Sequence, residues 1–148
     1  MPETESGDSL HAELVLDSTL ASVDRGEAVA MEAARKVGFD ADTQVDIGIA
    51  VRESLVNAVA HGNRYNARKK VQFRVWTSPG KLALEIEDQG KGFDPDEVPD
   101  PLDGGNLMRH SGRGLLMIRA YMDELDYTKL GAEGTRVRMV KYLPKPGS

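Results

Sequence analysis

Residues 71–77 (VQFRVWT) and 82–87 (LALEIE) alternate apolar and polar side chains on either side of Ser78-Pro79-Gly80. Two such runs joined by a Pro-Gly turn predict a β-hairpin, and a hairpin with one apolar face must be covered to be stable. Residues 10–16 (LHAELVL) supply a third alternating run, with apolar residues at positions 10, 12, 14 and 16. The cover comes from the helical patterns between these runs. Residues 20–37 place Val23, Ala30, Ala34 and Val37 roughly on one side, after candidate N-caps at Asp17, Ser18 and Thr19 and before a C-terminal stop at Gly38. A second helix starts at Asp40 or Asp42 and runs to about His61, with Gly62 and Asn63 suited to its end. After residue 90 comes a long stretch rich in glycine and broken by Pro95, Pro99 and Pro101. Loops of that length in compact domains are usually functional or disordered. Residues 115–122 read as helix, 125–130 as a candidate strand, and 135–142 as a last alternating strand. The order β-α-α-β-β-loop-α-β-β implies an α+β fold, a mixed and mostly antiparallel sheet with helices on one face. Residues 1–9 are polar and are expected to form a flexible N-terminus, leaving 10–148 as one domain.

Composition narrows the function. A formal net charge of -5 argues against nucleic acid as the main partner. The basic cluster Arg64, Arg68, Lys69 and Lys70 reads as a solvated turn. No cysteine is present, which removes thiolate chemistry and cysteine-ligated zinc. The histidines, His11, His61 and His110, lack metal-ligand pairing. No apolar run reaches membrane-spanning length, and the acidic N-terminus carries no signal-peptide core, so a cytoplasmic protein without a membrane partner is expected.

The chemistry begins at residues 53–62 (ESLVNAVAHG). Helical spacing sets Glu53, Asn57 and His61 four apart, each about 40° round from the last. They make a polar row in an otherwise apolar segment. By itself such a row reads as the wet face of an amphipathic helix. Two glycine motifs follow it in order: Asp88-Gln89-Gly90-Lys91-Gly92, and Gly112-Arg113-Gly114 at a helix start. Alternation through Leu82, Leu84 and Ile86 would carry Asp88 onto the same inward face. Free N–H groups at a helix N-terminus suit phosphate, and Arg113 adds a full charge.

Together, ESLVNAVAHG, DQGKG and GRGLLMI resemble the GHKL ATPase superfamily. Within it the chain is most similar to the small anti-sigma factor serine kinases of the RsbW and SpoIIAB kind, over roughly residues 10–142. The resemblance implies a Bergerat-type two-layer sandwich that binds ATP with Mg2+. It implies Glu53 as general base and Asn57 as Mg2+ ligand, consistent with a hard cation that takes few protein oxygens beside phosphates. The alternative for Glu53 is a surface pair with Arg52 or another cation. Asp88 would accept a hydrogen bond from the adenine amino group and reject guanine, while Gly90 and Gly92 let the backbone bend against the base. Thr135 resembles the family's adenine-binding threonine, or is simply a β-branched strand former. Gly112, Arg113 and Gly114 would hold phosphate beneath a lid formed by residues 104–110. Lys91 departs from the small or aliphatic residue expected between the glycines. His61 is read as structural or as a support behind the site, rather than catalytic. The resemblance further implies a serine/threonine kinase that phosphorylates a STAS-domain antagonist, binds a sigma factor and forms a homodimer. The alternatives are a non-catalytic ATP-binding switch of the same fold and a stand-alone histidine-kinase-like catalytic domain.

Overall fold

The computed structural model describes residues 8–90 and 118–144. Five strands and two long helices follow the order β1 (Ser9–Asp17), α1 (Leu20–Val37), α2 (Ala41–Val56), β2 (Lys70–Ser78), β3 (Lys81–Asp88), β4 (Glu124–Lys129) and β5 (Thr135–Tyr142). A π-helical turn, Asn57–Gly62, continues α2. The sheet runs β1-β2-β3-β5-β4, and all four pairings are antiparallel. Residues 118–121 are helical and lead into β4.

Local chemistry explains the boundaries. Thr19 is the N-cap of α1, its Oγ1 accepting the Ser22 N–H at 3.3 Å. Gly38 closes α1 in the left-handed region at φ 109°, where its N–H reaches the carbonyls of Ala34 and Arg35. Asp40 caps α2 through Oδ1, which accepts the Thr43 N–H at 2.7 Å. Small residues let the two helices touch. A Cβ on Gly26 would run into Leu55 Cδ1, and one on Gly48 would fall 2.9 Å from Met31 Sδ.

One face of the sheet carries the core. Val71, Phe73, Val75, Leu82, Leu84, Ile86, Val137 and Met139 are buried in one cluster with Val23, Ala30, Ile47, Val51, Leu55 and Val59 from the helices. The expected amphipathic stripe of α1 is therefore the face that meets the sheet. Ile118 and Met122 join the same cluster.

The opposite face differs in kind. It holds a small buried group, Trp76, Ala83 and Val140, with the Arg138 guanidinium 5.9 Å from the Trp76 ring centroid. Beside it runs a ladder of ion pairs: Glu13–Arg74 at 2.7 Å, Arg74–Glu87 at 3.0 Å and Arg136–Glu87 at 3.3 Å.

Two sequence expectations need correction. Leu10 does not share a face with Ala12, Leu14 and Leu16. A bulge at His11 shifts the register between the Leu10–Trp76 and Ala12–Val75 pairs. That extra residue turns Leu10 to the opposite face, where it packs on the Trp76 group. The second helix also does not run as α-helix to His61. It widens at Asn57, and the Asn63 N–H bonds to Ala58 O at 2.8 Å, five residues back. Such turns occur frequently at functional sites.

Candidate functional site

The site forms where α2 widens and meets the C-terminal end of β3. Asp88, the last residue of β3, lies opposite Thr135, the first of β5. The period of two that faces Leu82, Leu84 and Ile86 inward carries Asp88 to the same side. Asp88 is only 7% exposed. Gly62 closes over it from the helix: a Cβ there would sit 2.6 Å from Asp88 Cγ and Oδ2.

Burial pushes the Asp88 carboxyl up to about 6 from its ordinary 3.8. The backbone N–H groups of Gly90 and Thr135 and the nearby charge of Lys69 pull it back only in part. The Gly90 N–H donates to Oδ1 at 3.1 Å, and a carboxylate that accepts from backbone N–H groups keeps further lone pairs for a ligand donor. An acceptor held in a dry, tight place suits a neutral N–H donor.

Two further polar atoms stand out. Among the described residues, Asn57 Oδ1 and Thr135 Oγ1 are buried and have no hydrogen-bond partner. An unpartnered buried oxygen costs about 1–3 kcal/mol, so each is a natural place for a ligand to bond. A neutral carboxamide oxygen is the right donor type for Mg2+, which is held by few protein ligands when phosphates supply the rest. The residues present therefore fit the cation, which Asn57 Oδ1 would hold on the protein side.

Glu53 is half-buried one helical turn before Asn57. Among the described residues, its alternative pairing with Arg52 does not form. Arg52 instead reaches Asp24 at 2.7 Å and Glu27 at 3.4 Å. Sequence reasoning passed over Asn63 and Gln89 except as a helix end and a motif filler. Asn63 is 2% exposed, and its Oδ1 accepts the Gln89 N–H at 2.8 Å. Gln89 inside the DQG motif and Asn63 directly after the helix-ending Gly62 were the signals available. Gly92, Gly112, Arg113, Gly114 and the residue 104–110 lid lie outside the described residues. Elsewhere, the cleft between Lys36, Val37 and residues 77–79 contains none of the unpartnered buried side-chain atoms.

Residues 16–141 match the model of the histidine kinase-like ATPase domain. The chain belongs to that family. Among its relatives is the anti-sigma F factor of Oceanobacillus iheyensis, 30% identical over 131 residues, covering 84% of this chain and 90% of that one. The anti-sigma F factor of Thermoanaerobacter sp. (strain X514) is 33% identical over 100 residues, covering 66% of this chain and 69% of its own. Among solved structures, the fold resembles the RsbU and RsbW domains of Rv1364c from Mycobacterium tuberculosis, with a TM-score of 0.64 and 22% identity over 91% of this chain. The chain spans 33% of the length of that solved chain. The fold expected from the sequence, an α+β sandwich of this superfamily with relatives of the RsbW and SpoIIAB type, is the one found. Among the described residues no helix is long and apolar enough to cross a membrane.

Proposed function

We propose that the chain is an ATP-dependent protein serine/threonine kinase that works as an anti-sigma regulator. Asp88 and Thr135 take the adenine, Asn57 takes Mg2+ on the triphosphate, and Glu53 removes the proton from an attacking serine hydroxyl. The observation that carries this reading is a dry acceptor, Asp88, opposite Thr135 and under the turn that begins at Asn57, with Asn57 Oδ1 and Thr135 Oγ1 both buried and unpartnered among the described residues. A buried carboxylate with lone pairs to spare and two buried oxygens unpartnered among the described residues describe a purine pocket with a cation site better than they describe a structural network. Mg2+, when bound, would neutralise charge on the phosphoryl group in flight. The chain's own residues then have three tasks: Asp88 fixes the base, Asn57 fixes the metal, and Glu53 handles the proton.

The relatives' names as anti-sigma F factors support a partner-switching role. In this reading the chain holds a sigma factor and exchanges it for a STAS-domain antagonist, which it phosphorylates. The second reading, a non-catalytic ATP-binding switch, would make Glu53 dispensable. Arg52 is engaged with Asp24 and Glu27, which removes the nearest structural partner for Glu53 and supports the catalytic reading.

The test is incubation of the chain with labelled ATP, Mg2+ and a candidate antagonist. Acid-stable label on an antagonist serine is the expected result. Acid-labile label would point to a histidine kinase instead, and nucleotide binding without any transfer would point to the switch.

A further inference from the structure

The sharpest unexplained polar chemistry outside the proposed ligand contacts is a pair of carboxamides. Asn63 leaves the π-helical turn, and its side chain uses both ends. Nδ2 donates to Ser18 Oγ at 2.9 Å and to the Lys70 carbonyl at 3.0 Å. Oδ1 accepts the Gln89 N–H at 2.8 Å. Gln89 answers from the other side: its Oε1 accepts the Lys70 N–H at 2.5 Å. The peptide groups at the start of β2 are thus bracketed by the two carboxamides, and the Asp88–Gly90 segment is tied to the end of the helix that bears Asn57.

No other side chain of this size supplies two donors and an acceptor together. The tie leaves no slack, because a Cβ on Gly90 would collide with the Gly62 carbonyl oxygen. It also holds a costly backbone. Directly after Asn63, Arg64 and Tyr65 both take left-handed conformations, at φ 51° and 58°. Such residues persist only where their surroundings over-determine them.

We propose that Asn63 and Gln89 form a clamp that sets the base-binding Asp88–Gly90 segment in register with the metal-binding end of the helix. They are positioning residues that touch neither nucleotide nor metal. This inference rests on the nucleotide reading above and adds to it the device that aligns the two ends of the pocket.

The experiment is titration of ATP into the full chain and its variants, well below each melting temperature. Asn63→Ala removes three bonds and is expected to weaken ATP about tenfold, the equivalent of one buried hydrogen-bond defect felt at the ligand. Asn63→Asp keeps the acceptor for Gln89 but loses both donors, so it should weaken ATP too. Gln89 is exposed, so Gln89→Ala folds even if the Asn63 variants do not. It should weaken ATP about threefold, while Gln89→Glu, which keeps the Oε1 acceptor, restores wild-type affinity. A merely structural role would lower melting temperature without this split between alanine and the conservative variant. The double variant Asn63→Ala/Gln89→Ala should lose less than the product of the single losses, because the two act on one segment. Wild-type chain that binds ATP while Gln89→Ala and Asn63→Ala bind it equally well overturns the clamp. Wild-type chain that binds no ATP overturns the nucleotide reading itself, and the clamp's role falls with it.

Discussion

Gly62 and Asp88 are in contact so close that the helix residue cannot carry a side chain: a Cβ would lie 2.6 Å from the carboxylate. Gly62 has no positive φ, so its backbone would accept alanine. The glycine is required by its neighbour. Gly62→Ala should therefore push Asp88 from its place and destabilise the fold by about 1–3 kcal/mol, the usual cost of overpacking. Nucleotide affinity should fall with it. Thermal melting and ATP titration check both, and a variant with unchanged affinity would mean that Asp88 is not the base acceptor.

Asp88 also predicts a pH dependence. Its carboxyl titrates near 6 in the fold against 3.8 ordinarily. The folded chain thus holds this proton more tightly than the unfolded chain does. The stability it contributes is complete below about pH 4 and is lost as pH rises through about 6. Asp88→Asn is neutral throughout and lacks that slope. At pH 8 the variant should be more stable than wild type, by up to about 3 kcal/mol, the free-energy equivalent of the shift. At pH 4 the difference should vanish. ATP binding should move the opposite way. In wild type Oδ1 already accepts from Gly90, so the carboxamide of the Asp88→Asn variant must present its NH2 either to the Gly90 N–H or to the adenine amino group. Denaturant melts at the two pH values, with ATP titration at pH 8, test both halves.

As the proposed Mg2+ ligand, Asn57 gives a test that separates metal from base. Its Oδ1 is buried and unpartnered among the described residues. Removing it in Asn57→Ala relieves one cost and leaves a small cavity, two opposed terms that should hold the melting temperature within a few degrees. The gain in ATP affinity on adding Mg2+ should disappear, while affinity in the presence of a chelator stays at the wild-type value. A variant that still responds to Mg2+ in full would remove Asn57 from the metal site.

Much of this fold was legible because one face of each strand is dry and the other wet. The alternation at 71–77 and 82–87 marked the hairpin, and capping chemistry marked both ends of α1. What escaped was set by partners rather than by local pattern. The bulge at His11 arises from how β1 pairs with β2, so Leu10 looked like a core residue of the wrong face. The widening at Asn57 changes which carbonyl each N–H finds, and composition carries no trace of that. The Trp76 group was not read at all, since nothing in VQFRVWT says that Leu10 and Val140 meet it. Strand phase put Asp88 on the inward face, as the structure has it, while the base-binding roles of Asp88 and Thr135 come from the family resemblance. Asn63 was read only as a helix end, because its three partners come from three separate stretches of chain. The phosphate side, at Gly112, Arg113 and Gly114, rests on the sequence.

Glu53 decides between kinase and switch. It lies half-buried one turn from Asn57, and the cation beside it in sequence is engaged elsewhere, with Asp24 and Glu27. A positioned general base contributes about 10²–10⁴-fold in rate. Glu53→Gln keeps the shape and one acceptor but cannot take up a proton at neutral pH. It should bind Mg·ATP within about twofold of wild type, since uniform binding of nucleotide does not use the base. Transfer of label to an antagonist serine should fall at least about a hundredfold. The two quantities must be measured on one preparation at saturating ATP, so that lost transfer cannot be lost binding. Transfer at the wild-type rate would free Glu53 from the chemistry. If wild-type chain transfers nothing yet ATP still governs which partner it holds, the carboxylate has no proton to move and the domain is a switch.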